Sequence, residues 1–389
     1  MDNNYFNANW NYPTSIRNGN GRISELTSAC TELGITAPLL ITDPGLANMG
    51  IVQNCITDCL QAGLKIGLFD KVKSNPTGQN VSDGVKAYHL GEHDGVIAFG
   101  GGSALDAAKA VALMIGQQGS LWDFEDVGDN WTKVNTSDMA SIIAVPTTSG
   151  TGSEVGRASV ITDEDNHIKR IIFHPKMLPE IVILDAELTL GLPKLLTAST
   201  GMDALSHALE AYCAPGYHPM AKGVAIEAIR LIKNYLPRAC ANGKDKEART
   251  QLMVASTMGS MAFQRGLGAM HALAHPLGAF YDSHHGLLNA ILMPYVLVAN
   301  QSAITEDIGR LSRYLELEDA SFNGFLQWII SLRTELEIPN KLSDIGINTD
   351  RAVEIGKMAF RDPCASSNPI AMSENMYQQI FIAAVNGEL

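Results

Sequence analysis

Basic patches are missing from this sequence. No run of Lys or Arg exceeds two residues, and the net charge is −13. Nucleic acids and anionic membrane surfaces are gripped through such patches, so neither is an expected partner. Long apolar runs are missing as well, none reaching the roughly 18 residues of a membrane span. The first residues, MDNNYFNANWNYP, have no basic start and no apolar stretch, so no secretory leader is expected. The six cysteines (Cys30, Cys55, Cys59, Cys213, Cys240, Cys364) form no CxxC pair. Reduced thiols of a cytoplasmic protein fit this scatter better than a disulfide framework. Cys55 and Cys59, four apart, read as one buried helix face. The GxGxxG fingerprint of dinucleotide-binding turns is absent too.

What is present is a globular composition, 46 % apolar and 18 % charged over 389 residues, a length that suggests two domains. Short apolar runs at 38–43, 65–70, 94–102 and 140–148 alternate with helical patterns at 46–63, 81–93 and 103–116. That alternation predicts a parallel sheet covered by helices. Past residue 190 strand-like runs nearly vanish and helical spacing takes over. The expected architecture is a Rossmann-like α/β domain over 1–190, followed by an all-helical domain over 191–389.

Two polar loops follow strands of the first domain. GVIAFGGGSALDAAKA (95–110) runs strand, glycine turn, helix, and a helix N-terminus offers free N–H groups to an anion. Ser103 there is either a pyrophosphate ligand or a helix cap. PTTSGTGSEV (146–155) offers hydroxyls and N–H groups to a ribose or phosphate, or is a surface turn. Together the loops mark the C-terminal strand ends where open α/β sheets bind nucleotides. Asp43, ending LLITD, would accept from an adenosine ribose and repel a 2′-phosphate, favouring NAD over NADP; equally it would cap the helix after Pro44.

The second domain carries a histidine constellation. Asp203 and His207 are four apart in TGMDALSHALEAY, and His271 and His275 repeat that spacing in GAMHALAHPLGAF. Each pair shares a helix face. Pro276 is expected to end or bend the second helix, leaving His284 and His285 in the turn beyond it. A buried charge among apolar neighbours needs a counter-ion or a metal, and one carboxylate with three imidazoles suits Fe²⁺ or Zn²⁺.

In order, GGGSALDAAKA, PTTSGTGSEV, TGMDALSHALEAY and GLGAMHALAHPLGAFYDSHHG closely resemble the iron-containing, group III NAD(P)-dependent alcohol dehydrogenases over nearly the whole chain. The resemblance implies metal ligation by Asp203, His207, His271 and His285, with His275 beside the metal as a proton relay. It implies dinucleotide contacts at Asp43, Asn75, Gly101, Gly102, Ser103, Asp106, Thr147, Thr148, Thr151 and Lys169. It implies a cytoplasmic dimer or larger homo-oligomer that transfers hydride between an alcohol or aldehyde and NAD. Departures bear on the substrate: MAFQRGLGAMH is one residue short between Phe263 and His271 and brings Arg265 close, EVGRASV carries Arg157, and DPCASSNPI keeps Cys364 but has Ile370 where Arg is common. Either arginine would pair a remote carboxylate or phosphonate, making the enzyme a reductase of a semialdehyde, or would form a salt bridge at the surface or a subunit contact, the reading slightly favoured. A dehydroquinate-synthase-like lyase shares the architecture and stands as the rival, although the Asp203–His207 spacing fits the dehydrogenases better.

Overall fold

The computed structural model describes residues 14–166 and 168–389. The chain divides into two compact units, Pro13–Gly191 and Leu192–Leu389.

The first unit is built on six parallel strands. They are β1 (Ser15–Asn18), β2 (Pro38–Ile41), β3 (Gly67–Phe69), β4 (Gly95–Gly100), β5 (Ser141–Pro146) and β8 (Ile181–Leu184), in the order β1-β8-β5-β4-β2-β3. The strands β2, β4 and β8 are buried along their whole length, as a sheet covered on both faces requires. Covering helices are α1 (Leu26–Glu32), α2 (Pro44–Ala47), α3 (Gly50–Gln61), α4 (Gly78–Leu90) and α5 (Gly102–Met114). Cys30 of α1 and Cys55 and Cys59 of α3 pack into the apolar layer with Leu40, Ile97 and Ile143. All three are free thiols whose pKa values burial raises to about 11 or about 12. The 46–63 helix pattern divides at Asn48–Met49 into α2 and α3. An antiparallel hairpin, β6 (Ala158–Asp163) with β7 (Ile168–Phe173), forms a second sheet.

The second unit is helical: α6 (Lys194–Cys213), α7 (Pro219–Ala241), α8 (Lys246–Ala262), α9 (Ala269–Tyr281), α10 (His285–Tyr314), α11 (Phe322–Glu335), α12 (Ala352–Arg361) and α13 (Glu374–Asn386). Helix α6 is buried from Thr197 to Tyr212 because small side chains let its neighbours close in. Of the two outcomes expected at Pro276, an end does not occur: α9 runs through it to Tyr281, and α7 and α10 likewise run through Pro237 and Pro294. Pro276 and Pro294 are buried, so packing against the other helices offsets the hydrogen bond each removes. His285 is consequently the first residue of α10 rather than part of a turn, and His284 caps it, Nδ1 accepting from Leu287 N–H at 3.3 Å. Contrary to the expectation that no segment is long and apolar enough to span a membrane, helix α10 is so by length and composition. Because 67 % of its apolar stretch is buried within the unit, it is a bundle core helix.

Candidate functional site

Three helices of the second unit bring the histidine constellation together. Asp203 and His207 from α6 and His271 from α9 are buried, and one ligand atom of each lies within 4.8 Å of the others. The rings of His207 and His271 stack at 4.7 Å. His285, opening α10, places Nε2 3.7 Å from Asp203 Oδ1 and its ring 5.3 Å from His271. This approach depends on Gly286: a Cβ there would overlap the carbonyl oxygen of Ser199 and lie 2.9 Å from Asp203 Cβ. Phe263 closes one side, its ring 5.3 Å from His207. His275 stacks on His285 at 5.5 Å, outside that set.

A second layer of polar groups was not singled out from the sequence. Glu210 stands 2.6 Å from His271 Nδ1 and accepts from the N–H groups of Gly268 and Met270. Asp362 Oδ2 is 2.8 Å from His275 Nδ1, while its Oδ1 accepts from Cys364 N–H. Burial works against ionisation of Asp362, but the His275 ring and hydrogen bonds from Cys364 outweigh it and hold the carboxyl below its usual range. Cys364, behind this pair, is pushed well above its ordinary value by burial and remains a thiol. Asn289 of α10 reaches inward, Nδ2 lying 2.9 Å from Asp203 Oδ1, 3.1 Å from His285 Nε2 and 3.3 Å from His271 Nε2. Asn368 receives the Ala269 N–H and pairs with Asn300, securing the start of α9. Glu210 and Asn289 had a sequence signal, Glu210 falling on the helix face of Asp203 and His207 and Asn289 lying four residues after His285.

The donor set fits a divalent first-row metal: one carboxylate and three imidazoles, two of whose Nε2 atoms face the same amide nitrogen. The buried Oδ1 of Asn289 lacks a hydrogen-bond partner among the described residues. Burial disfavours charge on His271, yet Glu210, Asp203 and Asp362 outweigh it and raise its pKa.

In the first unit, the loops at the strand ends interlock. Gly100 takes φ 142°, which other residues rarely adopt, and turns β4 into α5. Gly101 is the N-cap of α5, with no side-chain cap among the described residues, so the first-turn N–H groups lack that competitor for an anion. Ser103 does not cap the helix; its hydroxyl donates to Ser74 O. Thr148 and Thr151 stand against Gly101 and Gly102, and Thr147 N–H donates to Gly100 O at 2.9 Å. Asn75 and Lys169 meet, Nζ donating to Oδ1 at 2.9 Å. Asp106 accepts from Ser153 Oγ and Val160 N–H and sits 3.3 Å from the buried Lys109. Asp43 Oδ1 caps α2 through Gly45 and Leu46 N–H.

Neither flagged arginine points its guanidinium into open space. Arg265 donates to the carbonyls of Ala211, Tyr212 and Gly216 around the C-terminal end of α6. Arg157 lies over the Phe173 ring at 5.5 Å, with Asp126 nearby.

A parallel sheet with interlocked glycine and threonine loops, and a buried carboxylate–imidazole cluster, are the parts of a metal-assisted dinucleotide dehydrogenase. Comparison with known proteins agrees. The model "Iron-containing alcohol dehydrogenase" matches residues 13–186, and "Fe-containing alcohol dehydrogenase family, C-terminal" matches 197–385. The 4-hydroxybutyrate dehydrogenase of Cupriavidus necator is 38 % identical, covering 95 % of this chain and 97 % of its own. A 1,3-propanediol oxidoreductase structure aligns with TM-score 0.92 at 34 % identity, over 97 % of this chain and 100 % of its own. The sulfoacetaldehyde reductase of Bifidobacterium kashiwanohense, solved with NAD⁺, aligns with TM-score 0.87 at 27 % identity, over 97 % and 99 %. The chain belongs to the iron-containing alcohol dehydrogenase family. It is a metal-dependent, NAD(H)-linked oxidoreductase acting on alcohols, and the lyase alternative falls.

Proposed function

We propose that this dehydrogenase interconverts a small alcohol and its aldehyde, with Asp203, His207, His271 and His285 holding Fe²⁺ or Zn²⁺ in the helical domain, 191–389. The convergence of these four side chains from α6, α9 and α10 carries the reading. The α/β domain, 1–190, takes the dinucleotide. When bound, the metal supplies Lewis-acid polarisation of the substrate oxygen and the nicotinamide exchanges the hydride. The N–H groups opening α5 at Gly101, Gly102 and Ser103 receive the pyrophosphate. Thr147, Thr148 and Thr151 offer hydroxyls to the nicotinamide side, and the linked pair Asn75–Lys169 borders the cofactor. Asp106 acts one step back, tying α5 to the 153–160 loop. The carboxylate oxygen of Asp43 not used in capping α2 favours a free ribose 2′-hydroxyl, hence NADH over NADPH. His275, held through Nδ1 by Asp362, exchanges the substrate proton at Nε2. Phe263 and Cys364 border the substrate. A cytoplasmic dimer or larger assembly belongs to the same proposal.

The 38 % identity to a 4-hydroxybutyrate dehydrogenase favours a second reading, in which the aldehyde carries a distal carboxylate. Arg157 and Arg265 are its candidate anchors, but both have partners in their own unit. The test is NADH consumption by metal-reconstituted protein on matched neutral aldehydes and ω-carboxylated semialdehydes, with NADPH alongside. Turnover of neutral aldehydes with NADH preferred is expected. Preference for the carboxylated set selects the second reading, and no turnover with metal and NAD bound sinks both.

A further inference from the structure

Glu210 is a buried carboxylate that the proposed reaction does not use. Its Oε2 accepts from Gly268 N–H at 2.9 Å and stands 2.6 Å from His271 Nδ1, and its Oε1 accepts from Met270 N–H at 2.7 Å. The cavity beside it has about 20 Å³, room for about one water. Its work is therefore done on His271 and on the start of α9.

The ring proton of His271 can be placed from its surroundings. Asn289 Nδ2 lies 2.9 Å from Asp203 Oδ1, so it is the amide NH₂ and not the amide oxygen that faces the cluster. The same NH₂ lies 3.3 Å from His271 Nε2, where a ring N–H would meet another donor, while the acceptor-only carboxylate of Glu210 stands 2.6 Å from Nδ1. In the neutral ring the proton then sits on Nδ1 and is donated to Glu210. We infer that Glu210 is the positioning residue of the metal centre, fixing His271 as its Nδ1–H form with the Nε2 lone pair aimed beside Asp203 and His207. The inference rests on the metal reading above and adds to it a residue that touches neither metal nor substrate. Carboxylates behind ligating imidazoles fix ring orientation and raise ligand basicity.

Glutamine cannot reproduce this arrangement. With its oxygen toward His271, its NH₂ meets the Met270 N–H. With its oxygen toward Met270, its NH₂ faces Nδ1 and drives the ring proton to Nε2, where a metal must bind. Metal affinity is therefore the readout, measured as zinc Kd by chelator competition, together with the visible spectrum of cobalt-substituted protein. Glu210→Gln is expected to raise the zinc Kd by about 10–100-fold and to shift the cobalt bands. Glu210→Asp, which keeps the charge but withdraws it from Nδ1, is expected to weaken zinc in the same direction. A Glu210→Gln protein with lowered apo melting temperature but wild-type Kd and cobalt spectrum would have lost a packing contact only, and the inference is overturned. If neither variant folds, ¹⁵N-histidine spectra of zinc-loaded wild type decide: a His271 without a proton on Nδ1 overturns it. Wild type that binds no zinc, or binds it as well as His207→Ala does, overturns the metal reading itself, so the two failures are distinguishable.

Discussion

Arg265 shows how position near a site differs from participation in it. Its guanidinium donates to the carbonyls of Ala211 and Gly216 at 2.9 and 2.6 Å and also to Tyr212 O. A cation at a helix C-terminus satisfies carbonyls that have no intrahelical donor and complements the dipole. Arg265→Ala should cost about 1–3 kcal/mol, read as a lower melting temperature of the whole protein. The ratio of kcat/KM for neutral and ω-carboxylated aldehydes should stay at its wild-type value. A selective loss of the carboxylated substrate would reassign Arg265 to substrate binding. At this scale the sequence is legible where spacing is short. Asp203 with His207, and His271 with His275, each declare a shared face through four-residue spacing. Asp362 and Asn368 escape because the groups they hold, His275 and the start of α9, are distant in sequence. Glu210 shares a helix face with Asp203 and His207, but nothing in its own segment marks that its partner is His271, 61 residues away.

The crossing of α6 and α10 sets the donor geometry at the scale of elements. Gly286 lies where α10 starts against α6, and the nearest obstacle to a side chain there is backbone, the Ser199 carbonyl, which cannot swing aside. Gly286→Ala should cost about 1–3 kcal/mol as overpacking and raise the metal Kd, since His285 and Asp203 flank the clash. A variant that melts earlier yet keeps the wild-type metal Kd would show that this crossing does not position the donors. The hairpin β6–β7 has its own pH signature. Asp163 is buried, which opposes ionisation, but Asn166 and Arg170 outweigh that and leave its pKa below the ordinary value. A carboxylate depressed in the folded state stabilises it above the unfolded pKa of about 3.9. That stability is lost as pH falls through the folded value. Urea melts should place Asp163→Asn about 1–3 kcal/mol below wild type at pH 7, with the gap closing in acid below about pH 4. A gap constant with pH would mean the side chain stabilises through packing alone. This hairpin is also an element the sequence reading missed. DEDN at the end of β6 signals a turn, but β7 is half-exposed and carries Lys169 and Arg170, so no clear alternation marks it. The strands β2, β4 and β5 were legible because burial on both faces writes them as unbroken apolar runs. β1, the polar SIRN, was not legible, because it lies at the edge of the sheet.

The whole molecule divides its proposed ligands between its two units. Asp203, His207, His271 and His285 all belong to Leu192–Leu389, and the glycine and threonine loops all belong to Pro13–Gly191. A ligand that binds only the native state stabilises what holds it, by about 2.7 kcal/mol when present at 100 times its Kd. Local opening free energies rise where a ligand ties elements together. Metal should therefore slow amide hydrogen exchange in α6, in α9 and in the first turns of α10, the three elements that supply donors. NADH added to metal-stripped protein should instead protect 100–106 and 147–156, where the α5 N-terminus meets the threonine loop. Exchange followed by mass spectrometry on chelator-treated, metal-reloaded and NADH-bound protein reads both patterns in one series. Unchanged exchange in α6, α9 and α10 on metal removal would contradict the assignment of the metal to these helices. It would do so however strongly the protein turned over its substrate, because a metal elsewhere would leave its protection elsewhere.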